Sequence, residues 1–559
     1  MVFGDKHHYN IDIDEIFLDG HNTPGYHRES LEGVLERPMS RRVFFLLGTL
    51  FVMSGVVFLL RAGFLQIVNA SVFRERSLNN YLRLVEQPAE RGLIYDRDGV
   101  VLATNEFRGF FTSASSTYYV MRRYPEQGFL HALGFLRKDN NRTQGASGIE
   151  KQYNTLLRGI AGERIEEVNV TGSVISFGIR VASQSGAGIV TSLSRNLQQQ
   201  LARSIERVAY TNGFSGGAGV VLDVSNGAVL ALVSVPEFDP NIFTEGLTQE
   251  KLDDLLYDPG KPFFNRAVSG LYPPGSIVKP ALAAGALAEN IIDPEETILT
   301  NGRLVLENPY FPDKPSVFLD WKNHGLVDMR RALAVSSDVY FYTIGGGYES
   351  QRGLGISKIN QYLALFGFGE MTGIDLPVEK QGLLPDQESP SRSRAWTVGD
   401  TYNVSIGQGD ILVTPIQMAV YAAALATGGT VLQPSVAQRV VDDRKNTIQT
   451  LLKPPRKNNI LPKDFFRVIQ EGMRDAVMYG TAQGLSGIPI PIAAKTGTAE
   501  IGKTGRVHSW SIGFAPFDQP KIAFVVLMES GSSQNLIGAT AVASEVLQWM
   551  HETRFLDSL

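Results

Sequence analysis

From position 43 to 60 the chain reads VFFLLGTLFVMSGVVFLL, eighteen residues without a charge. As a helix rising ~1.5 Å per residue, this run is about 27 Å long, roughly one hydrocarbon core. Its Phe, Leu and Val fall on every face, which predicts a membrane-spanning helix over 43–61 rather than a helix laid on a protein core. A cleaved leader carries a shorter apolar stretch behind a short basic segment, whereas 42 residues precede this one, so the segment is expected to stay as an anchor. Arg37, Arg41 and Arg42 favour an N-terminus on the inner side of the membrane, with Arg61, Arg74, Arg76 and Arg83 as basic residues on the other flank.

A second pattern begins far downstream. AGVVLDV (218–224) and AVLALVSV (228–235) flank Ser225-Asn226-Gly227, and Asn-Gly between apolar runs predicts a two-stranded hairpin. Three more strand-like runs, PIAAKTGTAEI (491–501), VHSWSIGFA (507–515) and KIAFVVLME (521–529), precede an amphipathic helix over 538–551. Together they predict an α+β fold built on a five-stranded, mainly antiparallel sheet. The Ala-rich segments between the first two strands and the last three are expected to pack on its faces and leave a cleft at one edge. A shift near 215 from charged to Gly- and Ala-rich sequence divides the chain into a tail (1–42), the span (43–61), a stem (62–215) and the sheet-bearing region (216–559).

Composition narrows the function. The 559 residues are 43% hydrophobic and 19% charged, ordinary globular usage that disfavours disorder and multiple membrane spans. With 52 Lys and Arg against 57 Asp and Glu, the net charge is -5, which gives no basic field for nucleic acid. The tail has five basic and eight acidic residues. There is no Cys, which removes disulfides, thiolate metal sites and Cys nucleophiles together.

None of the eight His shows HExxH spacing, so a zincin has no support. The candidate nucleophile lies at Tyr272-Pro273-Pro274-Gly275-Ser276-Ile277-Val278-Lys279-Pro280, where two prolines and a glycine predict a rigid turn and Pro280 falls in the first helical turn, which tolerates proline. Positions three apart share a helix face, so Lys279 projects beside Ser276 and can take its proton once burial keeps the amine partly neutral. A lone S-x-x-K is also a common Ser cap followed by a solvated Lys. Two further elements change that balance: Ser336-Ser337-Asp338, sixty residues after Ser276, and Lys495-Thr496-Gly497-Thr498 on a predicted strand.

In order and spacing the three resemble the S-x-x-K, S-x-N and K-T-G set of the penicillin-recognising serine acyltransferases. The resemblance extends upstream. Arg91-Gly92, Ile94, Asp96-Arg97, Gly99 and Leu102-Ala103 are similar to the motif that opens the pedestal of class B penicillin-binding proteins, and GASGIEKQYNTLLRGIAG (145–162) and RNLQQQLA (195–202) are similar to its later motifs. Only 39 residues (106–144) lie where that family carries a head insertion. YPPGS, Asp338 in place of the usual Asn, and IGQGDILVTPIQMA (406–419) resemble the elongation branch more than the division branch.

The resemblance implies a peptidoglycan D,D-transpeptidase on the outer side of the cytoplasmic membrane, acting on D-Ala-D-Ala stem peptides and trapped by β-lactams. It implies Ser276 as nucleophile, Lys279 as base, Ser336 and Lys495 as proton relay and carboxylate site, and the amides of Ser276 and Thr498 as oxyanion hole. Asp338, Thr496, Gly497 and Thr498 are the implied substrate contacts, with Gly497 leaving room for substrate backbone. A SEDS-family glycan polymerase and its adaptors are the implied partners; no cofactor is implied. Some relatives hold a metal near the second motif with a Cys ligand; here Asp320 and His324 are expected to be a surface pair. The rivals are a division-type enzyme, a catalytically silent β-lactam-binding sensor, and a carboxypeptidase or β-lactamase. Residues 497–504 also fit GxxxxGK[ST], but the alternating strand after them predicts a hairpin where a P-loop needs a helix.

Overall fold

The computed structural model describes residues 41–112, 115–139, 142–168, 174–307, 313–389, 394–535 and 537–559. The expected tail lies outside these apart from Arg41 and Arg42, and the head expected over 106–144 lies partly outside them. The described residues fall into two compact units, 41–83 with Val168, and the remainder. In the first, the apolar run is the helix Arg41–Gly63, continued by a wider π-turn over Phe64–Val68. None of its side chains in Arg41–Gly63 is buried by protein, and the Thr49 hydroxyl donates to the Phe45 carbonyl at 2.7 Å, satisfying inside the helix a polar group that lipid could not.

In the second unit the five expected strands form one sheet. They are β1 (Gly216–Asp223), β2 (Val229–Val235), β3 (Ala493–Glu500), β4 (Arg506–Ala515) and β5 (Ile522–Ser532), in the order β2-β1-β5-β4-β3. Every pairing is antiparallel. The last strand in sequence therefore sits in the middle, bridging the early hairpin to the late one. Side chains alternate between two cores: Val220, Leu222, Val525 and Leu527 enter one, Val221, Phe524, Val526 and Met528 the other. The helix Pro415–Ala426, buried along its whole length, covers the first face. Arg195–Asn212 and Ala539–Glu552, each buried along one stripe, cover the second. Both faces being covered explains why β1 and β2 read as near-continuous apolar runs. It leaves β3 as an open edge beside the turn that carries Ser276.

A six-stranded sheet forms the stem, in the order Thr447–Thr450, Ala437–Val441, Gly188–Thr191, Ile94–Tyr95, Val101–Thr112, Ser115–Arg123. Its first two strands come from far down the chain, a long-range pairing that the local pattern does not disclose. Under it Glu150, fully buried, accepts from Arg91 Nε at 2.7 Å, Arg122 Nε at 2.8 Å and the Tyr124 hydroxyl at 3.2 Å. Burial pushes the Glu150 carboxyl up, and the two guanidiniums outweigh this to hold it below its ordinary value.

Candidate active site

The turn that carries Ser276 is built from residues that cannot make a regular ladder. Pro273 and Pro274 have no N–H to donate, and the turn is tied instead by Gly275 N to Gly407 O at 2.9 Å and by Trp510 Nε1 to Pro273 O at 3.0 Å. Gly275 has φ +60°, and a Cβ there would lie 2.6 Å from Thr498 O; only glycine permits both the conformation and the approach. Ser276 falls in a 3₁₀ turn, Gly275–Val278, that hands over to the α-helix Lys279–Ala288. Residues i and i+3 eclipse in such a turn, so Ser276 and Lys279 stand in line on its surface.

Lys279 is fully buried. Its Nζ donates to Ser336 O at 2.8 Å, Ser336 Oγ at 3.2 Å and Asp338 Oδ1 at 2.6 Å, and stands 5.4 Å from the Phe341 ring centre. Those three acceptors match the three N–H groups of an ammonium. Lys495, also fully buried, donates to Ser336 Oγ at 2.9 Å and to Thr496 O at 2.8 Å. One hydroxyl thus joins two amines. Burial, then the neighbouring Lys279 charge, hold the Lys495 amine well below its ordinary value, against an opposing pull from Asp338.

Local structure puts these groups in place. Ser336 ends the helix Met329–Val335 in the left-handed region, φ +58° and ψ +42°, a conformation that costs a non-glycine residue on the order of 1 kcal/mol. Ser337 then caps the helix Asp338–Gly346, accepting from Tyr340 N, and Asp338 occupies its first turn, where the helix dipole favours a carboxylate.

The third motif lies on β3. Thr496 Oγ1 donates to Thr481 Oγ1 at 2.7 Å, and Thr498 is exposed at the open edge. Gly497 also serves the packing of the turn. A Cβ there would meet Pro274 O at 2.9 Å and Ile277 Cγ2 at 3.0 Å, so its missing side chain gives room to the turn that carries Ser276. Asp320 and His324 are corrected: their side chains are 0% and 4% exposed, not a surface pair. Asp320 Oδ2 accepts from Ser337 Oγ at 2.8 Å and Val339 N at 3.0 Å, bracing the second motif from behind. Sequence reading missed this brace, and missed that Asp338 reaches Lys279; a Ser cap followed by an acidic first-turn residue was its only local trace.

Two other letter matches, the second overlooked in the sequence, lack the local structure their chemistry needs. Residues 497–504 run from strand through turn toward strand. Gly213-Phe214-Ser215-Gly216-Gly217 fits G-x-S-x-G by letter, but it runs from helix into strand, the reverse of a nucleophile elbow.

An open-edged sheet with a helix-borne serine and two buried lysines defines a serine acyltransferase of the penicillin-recognising kind. The penicillin binding protein transpeptidase domain matches residues 217–548, and the penicillin-binding protein dimerisation domain matches 111–191. The chain belongs to the penicillin-binding protein transpeptidase family. It is 30% identical to the peptidoglycan D,D-transpeptidase MrdA of Acinetobacter baumannii, over 88% of this chain and 84% of the relative. To MrdA of Escherichia coli K12 it is 29% identical, over 85% and 88%. Among solved structures, PBP2 of Helicobacter pylori in complex with MreC aligns with a TM-score of 0.70 at 26% identity, over 86% of this chain and 100% of that one. PBP2 of Pseudomonas aeruginosa in complex with WCK 5153 aligns at 0.68 and 29% identity, over 84% and 97%.

Proposed function

We propose that this protein is an elongation-type peptidoglycan D,D-transpeptidase in which Ser276 is the nucleophile and Lys279, Ser336 and Lys495 move its proton. The observation that carries the reading is the continuous path from Lys279 Nζ through Ser336 Oγ to Lys495 Nζ, with steps of 3.2 and 2.9 Å. Two buried amines share one carboxylate, so the site holds one extra proton at modest cost and a second only at great cost. Passing a proton from Lys279 through Ser336 to Lys495 leaves Lys279 a neutral amine. Its lone pair then takes the proton of Ser276 Oγ as that oxygen attacks the penultimate D-Ala carbonyl of a stem peptide.

The tetrahedral oxyanion would be met by the amides of Ser276 and Thr498, whose backbones are brought together at Gly275. Collapse breaks the C–N bond, the terminal D-Ala leaves with the proton returned along the relay, and an ester remains on Ser276. A neighbouring stem-peptide amine attacks that ester, loses its proton to the same relay, and releases Ser276. A β-lactam acylates Ser276 by the same first step, but its leaving amine stays tethered in the cleft and hinders the second. Exposed Thr498 on β3 supports an extended peptide laid along the open edge, with Thr496 beside it and Lys495 as the nearby positive charge for a carboxylate.

Among the described residues one helix, Arg41–Val68, is long and apolar enough to cross a membrane, which supports a single-pass anchor; we assign its N-terminus to the cytoplasm and the rest of the chain to the outer side. A SEDS-family glycan polymerase is the proposed partner. Support comes from a solved peptidoglycan synthase complex coordinating polymerization and crosslinking, 26% identical and aligned over 91% of this chain with a TM-score of 0.69. The test is fluorescent-penicillin labelling of the membrane-extracted protein. The parent should carry a stable covalent label, Ser276→Ala none, and Lys279→Ala should acylate at least ~10²-fold more slowly, the usual scale of a general base. An unlabelled parent, or a labelled Ser276→Ala, would overturn the assignment.

A further inference from the structure

Next to the turn that carries Ser276 lies an ionic group, a buried Arg266 paired with a partly buried Glu529, that the chemistry above does not use. Tyr272, the first residue of the turn, is 4% exposed, and its hydroxyl donates to Glu529 Oε1 at 3.1 Å. The other carboxylate oxygen of Glu529 accepts from Arg266 Nε at 2.5 Å, and Arg266 NH2 donates to Gly260 O at 2.8 Å. His508 stacks edge-on against the Tyr272 ring at 5.0 Å, and its Nδ1 accepts from Ser530 N at 3.3 Å. Burial holds His508 down at about 4, so it is a neutral packing partner at ordinary pH. Burial and the Glu529 charge raise the Tyr272 phenol far above its ordinary value, so Tyr272 remains a donor.

The cost of this arrangement points to its use. Desolvating Arg266 and Glu529 is expensive, and apolar residues of similar volume could fill the space at no loss of stability. What apolar residues cannot do is fix the direction of a side chain through a hydrogen bond. Glu529 lies on β5, the central strand, while Tyr272 begins a turn whose two prolines donate nothing. Tyr272 is further pinned by reciprocal backbone bonds with Val413 at 3.0 and 2.9 Å. Four residues on comes Ser276.

We propose that Arg266, Glu529 and Tyr272 act as positioning residues for acylation: the ion pair orients a carboxylate that holds the Tyr272 hydroxyl, and with it the register of the turn that presents Ser276 Oγ. This inference rests on Ser276 being the acylated residue. It assigns no proton transfer to the three side chains.

The test measures acylation by fluorescent penicillin at several concentrations, separating the first-order acylation constant from the concentration dependence of binding. Tyr272→Phe, Glu529→Gln and the double variant are compared with the parent below all their melting temperatures. Tyr272→Phe should lose about tenfold in the acylation constant with binding unchanged, since small misplacements of a reacting group are paid for in rate. Glu529→Gln keeps an oxygen for the Tyr272 hydroxyl and should lose less, and the double variant should be no slower than Tyr272→Phe. An acylation constant within twofold of the parent in both single variants, or a loss that follows the unfolded fraction, would overturn the proposal. If one variant fails to fold, the other decides. A parent labelled at Ser276 whose variants acylate at full rate rejects the positioning role alone; a parent with no label rejects the function on which it rests.

Discussion

Asp338 puts a full negative charge 2.6 Å from Lys279, where an amide could hold the same place by hydrogen bonding alone. The carboxylate favours protonated amines in the site; for Lys495 it opposes the depression caused by burial and by Lys279. In the proposed mechanism acylation needs one amine to surrender its proton, so the charge that stabilises the resting site would also hold the base back at low pH. Asp338→Asn keeps an oxygen acceptor for Lys279 and removes the charge. The acid limb of the acylation rate should then move to lower pH, by about one unit for an opposite charge at this range. A pH profile of penicillin acylation checks this; movement to higher pH would refute the charge-balance account. Ser336 is the second residue whose role is geometric as well as chemical, since its left-handed backbone aims one hydroxyl at two amines on separate elements.

At the scale of elements, the site is a seam between a 3₁₀ turn and the edge strand β3. Gly497 lets the turn lie against the strand, and on the other side Gly407, at φ +77°, would put a Cβ 2.1 Å from Gly275 O. The loop after the helix Val398–Ser405 is therefore a backstop for the turn. Gly407→Ala should strain its own backbone and push the turn, with a stability loss of about 2 kcal/mol. Slower acylation should accompany it even where the protein is fully folded; thermal unfolding and time-resolved labelling read the two effects separately. S-x-x-K spacing was legible as a shared face, because positions three apart align in any right-handed helix. The tighter turn type was not, because it depends on the fit against β3 and Gly407.

For the whole molecule, pH stability is set by a few buried groups. His131 and His508 are each 8% exposed, and burial holds both at about 4 against an ordinary value of 6.5. Between those values the unfolded chain binds protons that the folded chain refuses, so their contribution is present above 6.5 and lost as pH falls. Glu237 accepts from Gly128 N at 2.5 Å and Leu130 N at 3.2 Å, and burial chiefly raises it to about 7 from 4.5. It works in reverse: the folded state gains its proton first, and its contribution grows as pH falls from 7 toward 4.5. Of these three groups, two histidines against one glutamate leave about one proton taken up on unfolding, a slope of about 1.4 kcal/mol per pH unit, while a lowered His324 and a raised Glu206 pull in opposite directions. The melting temperature of the detergent-solubilised protein should fall from pH 6.5 to 4.5, and Glu237→Gln should steepen the fall about twofold. A shallower fall in the variant would contradict the assignment.

By itself, the sequence determined what short-range physics determines. An uncharged apolar run long enough for a bilayer forms a helix whatever surrounds it, apolar runs broken by Asn-Gly form a hairpin, and Ser276 and Lys279 share a helical face because only three positions separate them. Three motifs in order were enough to name the chemistry. Tertiary structure alone decided which groups answer one another across long separations. It placed β5 in the middle of the sheet, paired residues 437–450 with strands from the N-terminal part of the chain, and enclosed the side chains of Asp320 and His324. It brought Asp338 within 2.6 Å of Lys279 and set Gly497 against the turn that carries Ser276. These outcomes depend on how closely distant segments pack and which buried charges then have a partner within 3 Å, and local periodicity holds no record of that.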